Sequence, residues 1–155
     1  MSESLNVIGA NVSGETETEE FELGTIAAGE DGNRRMYIRA NGAVVAGDFV
    51  TIDESFDAKK ITSTSATQLG LRVGIVEHAM TDNYYGFAVI EGLANGKLGG
   101  LCAAHAKLYT SATAGMLDDS STSQTVIGQI INLTAVATAA ALSPCRLGST
   151  SYGDY

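Results

Sequence analysis

Two cysteines, two histidines, a pair of adjacent aspartates, a glycine-rich stretch and a few clustered aromatic residues are the groups in this chain whose chemistry could serve catalysis or ligand binding. A thiol nucleophile or a metal centre needs a cysteine beside a histidine or a second cysteine at ligand spacing. Neither Cys102 nor Cys145 belongs to a Cys-x-x-Cys pair. Both lie among apolar and small residues, which reads as buried reduced thiols, with a disulfide as the alternative. His78 and His105 each fall near the end of an expected strand, with no cysteine or acidic cluster to complete a ligand set, and read as surface or structural residues. Asp118 and Asp119 are neighbours in an expected turn; successive side chains of an extended segment point to opposite sides, so the two carboxyls do not face one substrate as acid and base. The glycines from Gly92 to Gly100 do not join a strand to a helix, as a dinucleotide site requires, and there is no Gly-x-Ser-x-Gly elbow or phosphate-binding loop. No enzymatic activity, cofactor or metal ion is expected.

Aromatic residues on a strand usually fill a barrel or an interface. Tyr84, Tyr85 and Phe87 are therefore expected in the core or in a contact between copies. Tyr84, Tyr85 and Tyr109 forming a sugar-stacking surface is the competing reading. Asn11-Val12-Ser13 and Asn132-Leu133-Thr134 match the glycosylation triplet, but the first residues lack the basic start and apolar core of a secretory leader, so the triplets carry no weight.

The elements that must position these residues repeat once. Gly47 to Ile52 reads as a strand, Lys59 to Thr62 as a short one, Ser63 to Gln68 as a polar loop and Leu69 to Glu77 as a long strand. About 55 residues later the same phrase returns as Ala106 to Thr110, Met116-Leu117, a Ser/Thr gap and Val126 to Leu133. Both copies end in an apolar-Gly-x-apolar step, Val73-Gly74-Ile75-Val76 and Ile127-Gly128-Gln129-Ile130. Two copies fall short of the about three that a solenoid needs, so they point to one domain built from two related β units.

Between and around these copies, Met36 to Ala40 alternates like a half-exposed strand, and Asn41-Gly42 and Thr81-Asp82-Asn83 are turn signals. Tyr84 to Gly92 is a strand, Asn95-Gly96 a hairpin candidate, and Lys97 to Ala103 the chain leaving it. Thr134 to Leu142 suits either a short helix or a tight loop. Pro144 cannot donate to a ladder, so Leu142 to Leu147 is expected to be an edge strand or to begin one.

A chain of 155 residues buries roughly 68–70% of its unfolded surface, enough for a core without staples. No apolar run approaches the ~18 residues of a membrane span, and a reducing cytoplasm is the expected site of synthesis and assembly. The net charge of −9 is uneven: residues 1–31 hold eight acids and no base, whereas the remainder holds ten acids against nine bases. Arg34-Arg35 with Arg39 is the nearest approach to a basic cluster, too little for phosphate contacts, so neither nucleic acid nor membrane is expected as a partner. The domain reading is an acidic extended arm over residues 1–33, a β domain with two related units over 34–148 and a tail over 149–155. Glu15, Glu17, Glu19, Glu20 and Glu22 make the arm a solvated tail, or a segment that orders against a basic partner with Leu5, Val7, Ile8, Phe21, Leu23 and Ile26 as apolar contacts.

The ordered phrases Gly47-Asp48-Phe49-Val50, Gly70 to Val76, Tyr85-Gly86-Phe87-Ala88-Val89-Ile90-Glu91-Gly92, Ala106-Lys107-Leu108-Tyr109-Thr110 and Val126-Ile127-Gly128 resemble the small capsid decoration, or cement, proteins of tailed bacteriophages. The likeness covers about residues 40 to 133. It implies an all-β, compact β-barrel or tulip-like single domain with an extended N-terminal arm, no enzymatic activity, and a homotrimer at threefold or quasi-threefold positions outside an icosahedral head. The implied partners are the major capsid protein and other copies of the chain, and the implied location is the virion. The arm departs from the shortest members, which begin near the first core strand. Leu5, Val7, Ile8, Phe21 and the run from Glu15 to Glu22 are then the capsid-binding candidates. A carbohydrate-binding module of a head fibre or adhesin, or another virion β domain such as a tail tube or baseplate part, is the alternative.

Overall fold

The computed structural model describes residues 11–66, 71–120 and 126–148. They form an all-β domain of ten strands with a single helical turn, α1 (Ser63–Ala66), where a polar loop was expected. The strands are β1 (Ile26–Ala28), β2 (Arg34–Ala40), β3 (Phe49–Ile52), β4 (Asp57–Lys60), β5 (Arg72–Val76), β6 (Tyr85–Leu98), β7 (Lys107–Thr110), β8 (Leu117–Asp118), β9 (Val126–Asn132) and β10 (Ala141–Leu147).

Strands β2, β4, β3, β5 and the first half of β6 close into a five-stranded barrel, because β6 pairs with both β5 and β2. The second half of β6 starts another ring with β10, β9, β7 and β8, which returns to β6 through the parallel pair Leu98↔Leu117. The two rings use one connection scheme. In each, the first strand meets the third in parallel, and the second lies antiparallel to the third and fourth. The 14-residue β6 is the last strand of one ring and the first of the other. Like residues occupy like places: Phe49, first in β3, and Leu108, second in β7, are both buried, and each is paired with the fourth strand of its ring.

Alternation explains two layers of core. Met36, Ile38 and Ala40 of β2, Val50 and Ile52 of β3, Val76 of β5 and Ala88 of β6 point into the first barrel. The opposite faces of β3, β5 and β6 present Phe49, Ile75 and Val89 to a second cluster with Leu98, Cys102, Leu108, Leu117, Cys145 and Leu147, so the two rings share apolar core. Gly96 makes this approach possible: a Cβ there would lie 2.3 Å from Cζ of Phe49. That corrects the expected Asn95-Gly96 hairpin, since the glycine sits inside β6 to admit an aromatic ring from another strand. Asn41-Gly42 does turn, with Gly42 at φ +95°, and Asn83 adopts φ +68° in the turn before β6.

Pro144 lies on a strand that is central only in part, for β10 pairs with β6 along its whole length but with β9 only from Cys145 to Leu147. Its carbonyl accepts from Leu133 N–H on the β9 side, one residue beyond the last ladder pair, Cys145↔Asn132, so the missing donor falls where the ladder has ended. The alanine-rich stretch after β9 is irregular, with no helix.

Candidate functional site

The acidic run does not project freely. Residues 12–23 lie against the outer face of β2 and β6, where Tyr37, Phe87 and Ala27 form a third apolar cluster, with Val12, Phe21, Leu23 and Tyr85 packed on it. Phe21 is the anchor. Its ring meets Tyr37 edge-on at 5.3 Å and Phe87 at 5.9 Å, and Tyr37 stacks on Tyr85 at 6.1 Å. Thr16 and Tyr85 exchange two backbone hydrogen bonds of 2.9 Å, Glu20 N–H donates to the Tyr37 hydroxyl, and Thr81 donates both its N–H and its hydroxyl to the Glu15 carboxylate. A segment pinned in this way carries Glu17, Glu19, Glu20 and Glu22 exposed on its outer side. Leu5, Val7 and Ile8 lie outside the described residues.

Of the aromatic candidates, Phe87 is buried, and Tyr84 and Tyr85 are half-buried. Tyr109 sits half-buried on β7 in the other ring, opposite Asp118 and Val126. Among the described residues, all ring contacts belong to the cluster of Phe21, Tyr37, Tyr85 and Phe87. The structure thus brings Tyr85 and Phe87 together under the arm and places Tyr109 elsewhere. Sequence spacing did not reveal the arm contact, because the two partners of Phe21 come from separate strands far along the chain.

The basic triplet is consumed internally. Arg35, 5% exposed, donates through Nε to Glu77 at 2.9 Å and through its terminal nitrogens to Asp31, while Arg39 makes a two-pronged contact with Asp57 at 2.7 and 2.8 Å and Arg34 faces Glu91. The Arg35 guanidinium and the Asn33 N–H hold the Asp31 carboxyl below its ordinary value. Asn33 itself is buried and bonds Leu93 through both its amide oxygen and its amide nitrogen, standing in for a strand where Gly92 bends at φ +117°.

At the junction of the rings Asp48 is fully buried. Its carboxylate accepts from Val45 N–H at 2.9 Å and from Lys97 Nζ at 2.7 Å, with Lys60 Nζ at 3.3 Å. This clamp ties the loop before β3 to β4 and to the second half of β6. The short Gly47-Asp48 phrase contains no sign of its lysine partners.

His78 and the two thiols remain. Both ring nitrogens of His78 are buried without a hydrogen-bond partner, and burial pushes the imidazole below its ordinary value, with Glu15 and Glu77 pulling the other way. Cys102 and Cys145 are buried free thiols in the shared core, each pushed up to about 11 by burial. His105 is exposed, on a turn at φ +59°. The Asp119 carboxylate accepts from Ala103 N–H in the loop after β6, and Asp118 accepts from Ser120 N–H in its own turn. Among the described residues no group of three His, Cys, Asp or Glu could hold a metal ion, and no helix is long and apolar enough to cross a membrane. No protein-family model matches the chain, and the search of curated proteins returned no match.

Proposed function

We propose that the chain is a structural capsid decoration protein that binds the outer surface of a tailed-phage head as a homotrimer and stabilises it against internal DNA pressure. One observation carries this reading. The phrases that resemble the decoration family are the working strands of the doubled barrel: Gly47 to Val50 enters β3, Arg72 to Val76 is β5, Tyr85 to Gly92 is the first half of β6, Lys107 to Thr110 is β7 and Val126 to Gly128 opens β9. The support is physical as well. A clip that resists outward pressure must be stiff, and here the chain closes nearly every strand edge and pins its acidic segment to its own barrel, so docking orders little further backbone.

The mechanism is mechanical. A trimer bridging neighbouring coat subunits adds interface area where pressure pulls them apart, and an interface of roughly 1,600 Å² can be weak or tight depending on its anchors. Many equivalent contacts on one head make a modest single affinity sufficient. Leu5, Val7 and Ile8 are the apolar residues assigned to the coat contact.

The test is the thermal release of DNA from heads lacking this protein, with and without the purified chain added back. Added protein is expected to raise the temperature of release. An unchanged release temperature at saturating protein would remove the stabilising role.

A further inference from the structure

We infer that the acidic segment at residues 17–22 of one copy seats on the outer face of the second ring of the next copy, making the head-to-tail contact that closes the oligomer. The inference rests on the homotrimer in the function proposed above and deepens it by naming both surfaces. It also reassigns the acidic run from the coat to a neighbouring copy.

Residues directly opposite one another on antiparallel strands share a face, with Cβ atoms about 5 Å apart. Leu93 of β6 lies opposite Arg146 of β10, Arg146 opposite Ile131 of β9, and Ile131 opposite Lys107 of β7. The row faces outward, because the neighbours Ala94, Cys145, Ile130 and Leu108 are the buried ones. Leu93 is 47% exposed, both cations are exposed, and Ile131 is half-buried. Apolar and cationic groups therefore alternate across four strands.

Charge selects the occupant. Among the described residues Arg34, Arg35, Arg39, Lys60 and Lys97 are ion-paired, which leaves Lys59, Arg72, Lys107 and Arg146. Only Lys107 and Arg146 fall in one row; Lys59 and Arg72 sit opposite different residues of β3. The matching feature is the exposed set Glu17, Glu19, Glu20 and Glu22, preset by Phe21 against Tyr37 and Phe87. Within one chain, among the described residues, no ion pair joins Glu17, Glu19, Glu20 or Glu22 to Lys107 or Arg146. Two unlike patches that fit each other generate a ring when the rotation closes.

The test is the solution mass by sedimentation velocity across salt concentration, on the full chain. Wild type is expected to be trimeric in low salt and to dissociate as salt screens the pairs. Reversing the row with Lys107→Glu and Arg146→Glu should weaken association by about tenfold or more, as should Glu19→Lys, Glu20→Lys and Glu22→Lys. Combining both sets in one chain should restore the trimer with inverted pairs. All five positions are exposed, and circular dichroism verifies folding. A wild-type monomer in low salt, or reversal variants that trimerise as wild type does, would overturn the inference. Head binding is scored separately: trimers that obey the charge logic but ignore heads would sink the decoration role alone.

Discussion

Replacing Asp48 with Ala removes the carboxylate that ties β4 and the second half of β6 to the loop before β3. Its loss leaves Val45 N–H without its 2.9 Å acceptor, a charge-assisted, part-buried bond worth about 1.5–2 kcal/mol. Lys97 and Lys60 lose their counter-ion, but their side chains are 29% and 36% exposed and recover water, so the two pairs together add about 1 kcal/mol. The sum, about 3 kcal/mol, corresponds to a fall in Tm of roughly 6–12 °C for a domain of this size. Asp48→Asn keeps an acceptor for Val45 but sets it against the two ammonium groups, and should cost about 2 kcal/mol. The assay is urea unfolding by circular dichroism at neutral pH, with Lys97→Met combined with Asp48→Ala as a double-mutant cycle. A single transition is expected, because β6 belongs to both rings. A loss below about 1 kcal/mol for Asp48→Ala, or no coupling to Lys97, would refute the clamp.

Three further changes follow from the same structure. Gly96→Ala should destabilise by about 2–3 kcal/mol, because its Cβ would fall 2.3 Å from the ring of a fully buried Phe49. Gly42→Ala, with nothing within 4 Å but φ +95°, should cost only about 1 kcal/mol, and urea titration of both variants separates crowding from backbone strain. His78 is neutral by preference in the fold, so its contribution is fully present above pH 6.5 and is lost as pH falls below that value; an NMR titration of its ring should give a midpoint below 6.5, and His78→Gln should flatten the acid limb of the Tm profile. The raised thiols run the other way: their stabilisation is present below pH 9 and is lost as pH rises toward 11. Native protein at pH 8 should resist iodoacetamide at Cys102 and Cys145, with both alkylated after unfolding, as read by intact mass.

What the sequence made legible was local. Runs of β-branched residues marked β3, β5 and β9, and the repeated apolar-Gly-x-apolar step marked the doubled unit. What it hid was decided across the fold. Gly96 looks like half of a turn until Phe49 is seen filling its missing side chain, and how far β9 covers β10, which leaves Pro144 beyond the ladder, is set by strand register. Phe21 reads as part of a solvated acidic run, since its partners Tyr37 and Phe87 lie on two other segments. The Lys107–Arg146 row is similarly invisible in a linear chain, as its members meet only through strand register.

The proposed decoration role is tested most directly by co-sedimentation of the purified protein with tailed-phage heads that lack a decoration protein, with serum albumin as the control. Saturable binding in multiples of three copies per site is the expected result. Folded protein that stays in the supernatant with the albumin would contradict the role.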